Sequence, residues 1–340
     1  MLGNIHKNFS LHAYNTFGIA ARCRYFISVE GVDQLADVLR DTGLKNTAIM
    51  ILGGGSNVLF TKDYDGLVIK NSIEGIEVLD EDNTKVLLKV GSGVVWHHLV
   101  MHCVENGWGG IENLSLIPGL VGAAPMQNIG AYGVEFESVF QSLEAMHLQT
   151  REVTSFSKSD CEFGYRTSIF KTKLKNQFVI TSVTLSLAKR HKFKIEYGAI
   201  QETLEKHGVS KLSIKAVSDA VIEIRSGKLP DPKEIGNAGS FFKNPVVANE
   251  HYQRIRKAFP QMPHFSALNN MEKIPAGWLI EQCGWKGKRF GDAGCHANQA
   301  LVLVNHGAAR GDEIFNLSEE IKQSVNEKFG IELEREVNVI

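Results

Sequence analysis

Residues 48–70 read AIMILGGGSNVLFTKDYDGLVIK. The apolar run 48–52 has strand character and leads straight into Gly53, Gly54, Gly55, Ser56 and Asn57, small residues whose backbone amides can converge on an anion. The residues beyond Asn57 decide the kind of loop. A Rossmann turn opens directly into an amphipathic helix, but here VLF, a short polar turn and GLVIK continue as more strand. A P-loop needs a lysine and a hydroxyl directly after its last glycine, and this loop lacks that pair. The stretch looks like a phosphate-type loop set between strands, and it fits neither of the two common nucleotide-binding motifs.

Working outward, residues 115–133, SLIPGLVGAAPMQNIGAYG, form a second loop of small residues. Pro118, Gly119, Gly122, Ala123, Ala124, Pro125, Gly130, Ala131 and Gly133 leave almost no side-chain bulk. A long aperiodic segment is unusual in a compact domain unless something packs against it. Either loop alone admits two readings, a cofactor lying along the backbone or a tight turn that needs glycine at positive φ. Together, about sixty residues apart, they favour one extended anionic ligand such as FAD.

The chain has 340 residues, which predicts two or three domains with clefts between them. Its 37 basic and 38 acidic residues are scattered, so no basic face is offered to nucleic acid. The opening MLGNIHKNFSLHAYN lacks the apolar core of a secretory leader, and no apolar run is long enough for a membrane span; the expectation is a cytoplasmic protein, acting as a monomer. Cys23, Cys103, Cys161, Cys283 and Cys295 are far apart and read as reduced thiols. No metal is expected: His98 and His102 share a helix face without an acidic third ligand, and Cys295–His296 is at most half a site.

Helical spacing is clear at Val32, Leu35, Ala36 and Leu39; at Val217, Ala220, Val221 and Ile224, with Gly227 and the prolines beyond as breakers; at Ala276, Leu279, Ile280 and Cys283, with Pro275 in the first turn and Gly284 as the stop; and at Ile314, Leu317, Ile321 and Val325 before Gly330. Strand character marks 25–29, 48–52, 66–70, 86–90, 178–187 and 300–305. The class is α+β, without repeats, and the GKLPDP turn at 227–232 is the best hinge into a C-terminal unit.

Nine strings, in order, then carry a resemblance: YNTFG (14–18), ILGGGSN (51–57), the IPG…GAAPMQNIGAYG loop (117–133), FGYRTSIFK (163–171), KLPDP (228–232), AGSFFKNP (238–245), AGWLIEQCGWKG (276–287), HANQALVLVN (296–305) and LEREV (333–337). Across essentially its whole length the chain resembles the UDP-N-acetylenolpyruvoylglucosamine reductase family. The resemblance implies the FAD-binding fold of the vanillyl-alcohol oxidase type. Residues 1–75 with 331–340, and 76–226, would form two flavin subdomains, and 227–330 a substrate domain. It also implies a reaction of peptidoglycan precursor synthesis. NADPH reduces non-covalently bound FAD, and UDP-N-acetylglucosamine enolpyruvate then receives hydride at C3 in the same cleft.

By resemblance, Arg166 in GYRTS pairs with the substrate carboxylate, Ser240 in AGSFF protonates C2, and Glu336, the second glutamate of LEREV, stabilises the developing enolate. Because a bare anion there would repel that charge, Glu336 is expected either protonated or paired with Arg166. The cofactor is expected along Gly53, Gly54, Gly55, Ser56, Asn57, Ser115, Pro118, Gly119, Gly122, Ala123, Ala124, Asn128, Gly130 and Tyr132, with Arg225 and Tyr165 beside the flavin. Tyr197 in EYGAI, Lys228, Asn244 and Gln299 match substrate-binding positions, Tyr197 on a loop that closes over the substrate. LEREV departs from the family in carrying Arg335 where many relatives have proline. The competing readings are a flavin-dependent sugar or alcohol oxidase of the same fold and a non-catalytic nucleotide-binding protein.

Overall fold

A computed structural model describes residues 5–44 and 46–340. By their internal contacts these fall into two units: one made of the chain up to Phe9, Cys23–Gly54 and Asp65–Gly227, the other of Ser10–Arg22, Gly55–Tyr64 and Lys228–Ile340.

The first unit contains two sheets. In one, the strands run in the order His6–Ser10, Arg22–Val29, Tyr64–Asn71, Ile49–Leu52, and the last two pair in parallel from Ile49↔Leu67 to Leu52↔Lys70. The stretch 48–70 is thus strand, loop and strand, as its sequence predicts. Helix Val32–Arg40 buries Leu35, Ala36 and Val38 among Ile27, Val29, Leu67 and Ile69. The other sheet is antiparallel, ordered Val153–Ser157, Phe140–His147, Phe178–Ala188, Lys85–Gly91, Ile76–Glu81. Val86, Leu88 and Val90 alternate inward at 0% exposure, the period-two signature of a half-buried strand. They share a core with Leu99, Val100 and Cys103 of helix Trp96–Glu105, with Leu114 just before the second loop and with Val121 within it.

In the second unit, strands Gly236–Ser240, Val302–Asn305, Ala293–Cys295 and Arg289–Phe290 make an antiparallel sheet. Helix Gly311–Phe329 buries Ile314, Leu317, Ile321 and Val325, and it stops at Gly330 with φ 65°. Gly311 is forced by packing: a Cβ there would lie 1.7 Å from the Phe60 carbonyl oxygen. Gly311→Ala is expected to destabilise the fold by about 3 kcal/mol or more, because a backbone atom cannot rotate away; a fall in the urea midpoint measures it. The C-terminal Asn338–Val339 pairs in parallel with Val58–Leu59.

Three local expectations are corrected. The helix Ile214–Lys228 runs through Gly227 and ends just before Leu229–Pro230, because a glycine is tolerated in a helix where a proline is not. Pro275 is the N-cap of helix Ala276–Gln282, with ψ 115°, and lies outside its first turn. The strand expected from Ala300 begins at Val302. The last passage from the first unit to the second falls at Gly227/Lys228.

Candidate active site

In the first unit the two loops touch through glycine. A Cβ on Gly54 would come 3.0 Å from the Gly119 Cα, and one on Gly122 would come 2.6 Å from the Ser92 Cβ. Gly119 has φ 110°, and Leu116, Asn128 and Tyr132 also take the left-handed region. Helix Trp96–Glu105 holds the second loop in this shape: Trp96 donates through its backbone N to Gly119 O (3.0 Å) and through Nε1 to Leu114 O (3.0 Å), while Leu116 N donates to His97 Nδ1 (3.0 Å). Gly54, Pro118 and Ala123 stay exposed, so small residues from both loops present backbone to solvent.

Two polar residues of this loop face inward instead. Ser115 is fully buried, donating to Glu112 O (2.7 Å) and sharing a hydrogen bond with Ser218 Oγ (2.8 Å). Asn128, at 0% exposure, donates through Nδ2 to Glu135 Oε2 (3.1 Å) and Gly164 O (3.2 Å), and its Oδ1 accepts from Glu137 N (3.0 Å). Through these side chains both residues stitch the loop to its surroundings.

Arg166 stands on a tight turn in which Gly164 and Thr167 exchange backbone hydrogen bonds of 3.2 Å, with its own φ at 56°. Its guanidinium donates to Asn128 O (3.3 Å) and Gly130 O and lies over the Tyr165 ring at 5.4 Å. Close by, the Tyr132 hydroxyl and the Arg225 guanidinium interact electrostatically. Burial holds the Arg225 guanidinium below the ordinary arginine range, and the nearby Arg166 charge lowers it further against the pull of Tyr132. The Arg225 Nε is buried and has no hydrogen-bond partner. Tyr197 packs edge-on against Tyr132 with ring centroids 5.9 Å apart, is 44% exposed, and leads into helix Gly198–Lys206. The expected tyrosine loop is therefore a strap ending in a helix, tied down where Asn113 Nδ2 donates to Tyr132 O (3.0 Å) and Lys194 O (2.7 Å).

In the second unit, Gly55 continues the first loop at φ 63°, where a Cβ would lie 2.0 Å from Tyr14 O, and its own carbonyl accepts from Thr16 N (3.0 Å). Ser240 ends the strand Gly236–Ser240, opposite Val302, just after Gly239 at φ 68° bulges the ladder. Next to it the C-terminal segment pairs back: Glu336 N donates to Phe241 O (2.9 Å) and Lys243 N to Glu334 O (2.9 Å). Ser240 and Glu336, nearly a hundred residues apart in sequence, thereby become neighbours. Glu336 is half-buried and its carbonyl accepts from Asn57 Nδ2 (3.3 Å), whereas Glu334 is exposed on Lys243. Asn244 Oδ1 accepts from Ala276 N (2.9 Å), and Gln299 Oε1 sits where a Cβ on Gly277 would be 2.9 Å away, so both meet at the start of helix Ala276–Gln282. Lys228 is exposed at the end of its helix.

The sequence matches the profile of the FAD binding domain over residues 23–154 and that of the UDP-N-acetylenolpyruvoylglucosamine reductase C-terminal domain over 231–340. It is 52% identical to the UDP-N-acetylenolpyruvoylglucosamine reductase of Flavobacterium johnsoniae across 99% of both chains, and 51% identical to that of Amoebophilus asiaticus, again across 99% of each. The chain belongs to the UDP-N-acetylenolpyruvoylglucosamine reductase family. Among solved structures it superposes on the UDP-N-acetylenolpyruvylglucosamine reductase of Thermus caldophilus with a TM-score of 0.68 at 24% identity, covering 99% of this chain and 98% of that one. A solvent-stable cholesterol oxidase aligns at a TM-score of 0.50 and 12% identity over 98% of this chain and 86% of the other. The fold is α+β, the FAD-binding fold of the vanillyl-alcohol oxidase type.

In this reductase Arg335 has a physical use. Its side chain donates from Nε to Ser318 Oγ (2.9 Å), pairs with Glu319 and covers the Phe315 ring at 4.6 Å, anchoring the C-terminal segment to helix Gly311–Phe329. Sequence reasoning missed Asn113 and Glu135. The available signal was that both border the second loop, but the partners that give them meaning lie far along the chain. Cys103, Cys161 and Cys295 are buried thiols pushed up to about 12, mainly by loss of solvent. Among the described residues no group of three or more His, Cys, Asp or Glu is placed to hold a metal, and no helix is long and apolar enough to cross a membrane.

Proposed function

We propose that this chain reduces UDP-N-acetylglucosamine enolpyruvate to UDP-N-acetylmuramate, in peptidoglycan precursor synthesis, with non-covalent FAD as cofactor and NADPH as hydride donor. The observation that carries the reading is 52% identity over 99% of both chains, with Arg166, Ser240 and Glu336 all present. The residues fit FAD: Gly54 and Gly119 approach too closely for side chains, as a loop that lets an extended ligand lie on its backbone requires, and the buried Arg225 Nε lacks a protein partner. Residues 53–57 and 118–124 would hold the cofactor's phosphates and ribityl chain, with Gly130, Tyr132 and Arg225 nearer the flavin. For Ser115 and Asn128 the contribution is to loop shape.

When bound, FAD supplies the hydride that NADPH has delivered to it. Hydride reaching C3 of an enol ether drives negative charge into the adjoining carboxylate, so groups aimed there act on the transition state more than on the ground state. Arg166 meets the carboxylate with a guanidinium fork. Glu336 holds the enolate side, and Ser240 gives its proton to C2. Tyr197 and Lys228 hold the diphosphate end; Asn244 and Gln299 orient the rest of the nucleotide. Residues 1–75 with 331–340, and 76–226, are proposed as two flavin subdomains and 227–330 as a substrate domain, with Arg166, Tyr197 and Glu336 of the flavin subdomains also serving the substrate. We place the reaction in the cytoplasm, carried out by a monomer.

Anaerobic stopped flow on the purified yellow protein tests the reading. The flavin is reduced with NADPH, and UDP-N-acetylglucosamine enolpyruvate should then restore the oxidised spectrum without oxygen. A flavin that stayed reduced until oxygen entered would favour an oxidase, and protein without flavin would favour a nucleotide-binding role.

A further inference from the structure

We propose that Glu135 is a positioning residue for Arg166: set opposite Gly130 in a short hairpin, its carboxylate flanks the guanidinium and fixes it before the substrate arrives. The inference rests on the role given to Arg166 above. Strands Gly130–Ala131 and Val134–Glu135 pair in the register Gly130↔Glu135. The point a Cβ would occupy on Gly130 lies 2.9 Å from Arg166 Nη1 and 3.0 Å from Glu135 Cγ, so guanidinium and glutamate share one side of that glycine. Any larger residue there would push the two apart.

The surrounding bonds hold both partners to one frame. The Arg166 guanidinium donates to the carbonyls of Asn128 and Gly130, and Asn128 Nδ2 donates to Glu135 Oε2 at 3.1 Å and to Glu137 Oε1 at 3.4 Å. Lys158 engages Glu137, donating to its carbonyl at 2.7 Å and pairing with its carboxylate at 3.8 Å. Burial lifts the Glu135 carboxyl above the ordinary glutamate range, Arg166 pulls it back and Glu137 lifts it again, so Arg166 is the cation that favours its ionised form. A long, flexible side chain delivers a bidentate contact only if its orientation is set in advance, and neighbouring groups supply that orientation.

Glu135→Gln keeps the shape and the bond to Asn128 but removes the charge. Reoxidation of reduced flavin by the enolpyruvyl nucleotide should slow, by up to about 10²-fold, while reduction by NADPH is unchanged. In an Arg166→Ala background the same substitution should add no further loss. Parent-like kinetics, equal loss in both half-reactions, or a loss that persists without Arg166 would overturn the proposal. Should the glutamine variant not retain FAD, Glu135→Asp is read in the same way: slowed reoxidation with intact reduction supports the role, and parent-like kinetics overturn it. Failure of the unmodified protein to reoxidise with substrate would instead remove the role of Arg166, and this inference with it.

Discussion

Ser240→Ala is expected to leave reduction of the flavin by NADPH intact and to slow reoxidation by the enolpyruvyl nucleotide by about 10² to 10⁴-fold, the usual contribution of a general acid. A serine hydroxyl is a weak acid, so the role demands a strongly basic enolate and a fixed geometry. The fold supplies the fixing. Ser240 is the last residue of a strand, pinned opposite Val302, and the bulge at Gly239 sets its direction. Alanine fits the same backbone, so the variant should fold and bind FAD. Double-mixing stopped flow measures the two half-reactions separately, and an equal loss in both would mean that Ser240 supports the flavin site rather than the proton transfer.

Glu336→Gln should slow reoxidation by about 10² to 10³-fold, the scale of losing one electrostatic stabiliser of developing charge, whereas Glu334→Gln should change it less than about threefold. The two glutamates look equivalent in LEREV and are not so in the fold. The Glu334 side chain is 71% exposed and paired with Lys243, the setting in which an ion pair contributes little. Glu336 is half-buried and bonded through its main chain to Phe241 and Asn57, contacts that glutamine keeps. The reverse ranking would move the catalytic role to Glu334.

Elements with a clean period were legible in the sequence. Val86, Leu88 and Val90 alternate, and Ile314, Leu317, Ile321 and Val325 repeat at helical spacing, because in each case one face is buried and the other wet. Helix Asn249–Ala258 was not legible: of NEHYQRIRKA only Tyr252 and Ile255 are buried, too few to show a period. Strand Phe140–His147 hides for another reason, since register shifts at Phe140/Ser142 and Glu144/Ala145 break its alternation. In the site, small residues marked both loops because close backbone approach excludes side chains. The inward bonds of Ser115 and Asn128 were not legible, because a buried, satisfied polar group and a ligand-facing one have the same letter. Glu135 escaped notice because its meaning depends on Arg166, which the chain reaches only after two further strands.

The second unit is assembled from three separate pieces, Ser10–Arg22, Gly55–Tyr64 and Lys228–Ile340. Asn305 Nδ2 donates to Phe17 O at 2.8 Å, and Thr61 N donates to the Ile340 carbonyl at 2.8 Å. On a ribosome the two short pieces emerge long before the third, and they have no sheet to join until that third piece follows. Closing such long loops is entropically unfavourable until the late strands arrive. The N-terminal pieces must therefore wait, unpaired, through most of translation. Glu336, which lies in the third piece, reaches Phe241 and Asn57 only once that piece has been made.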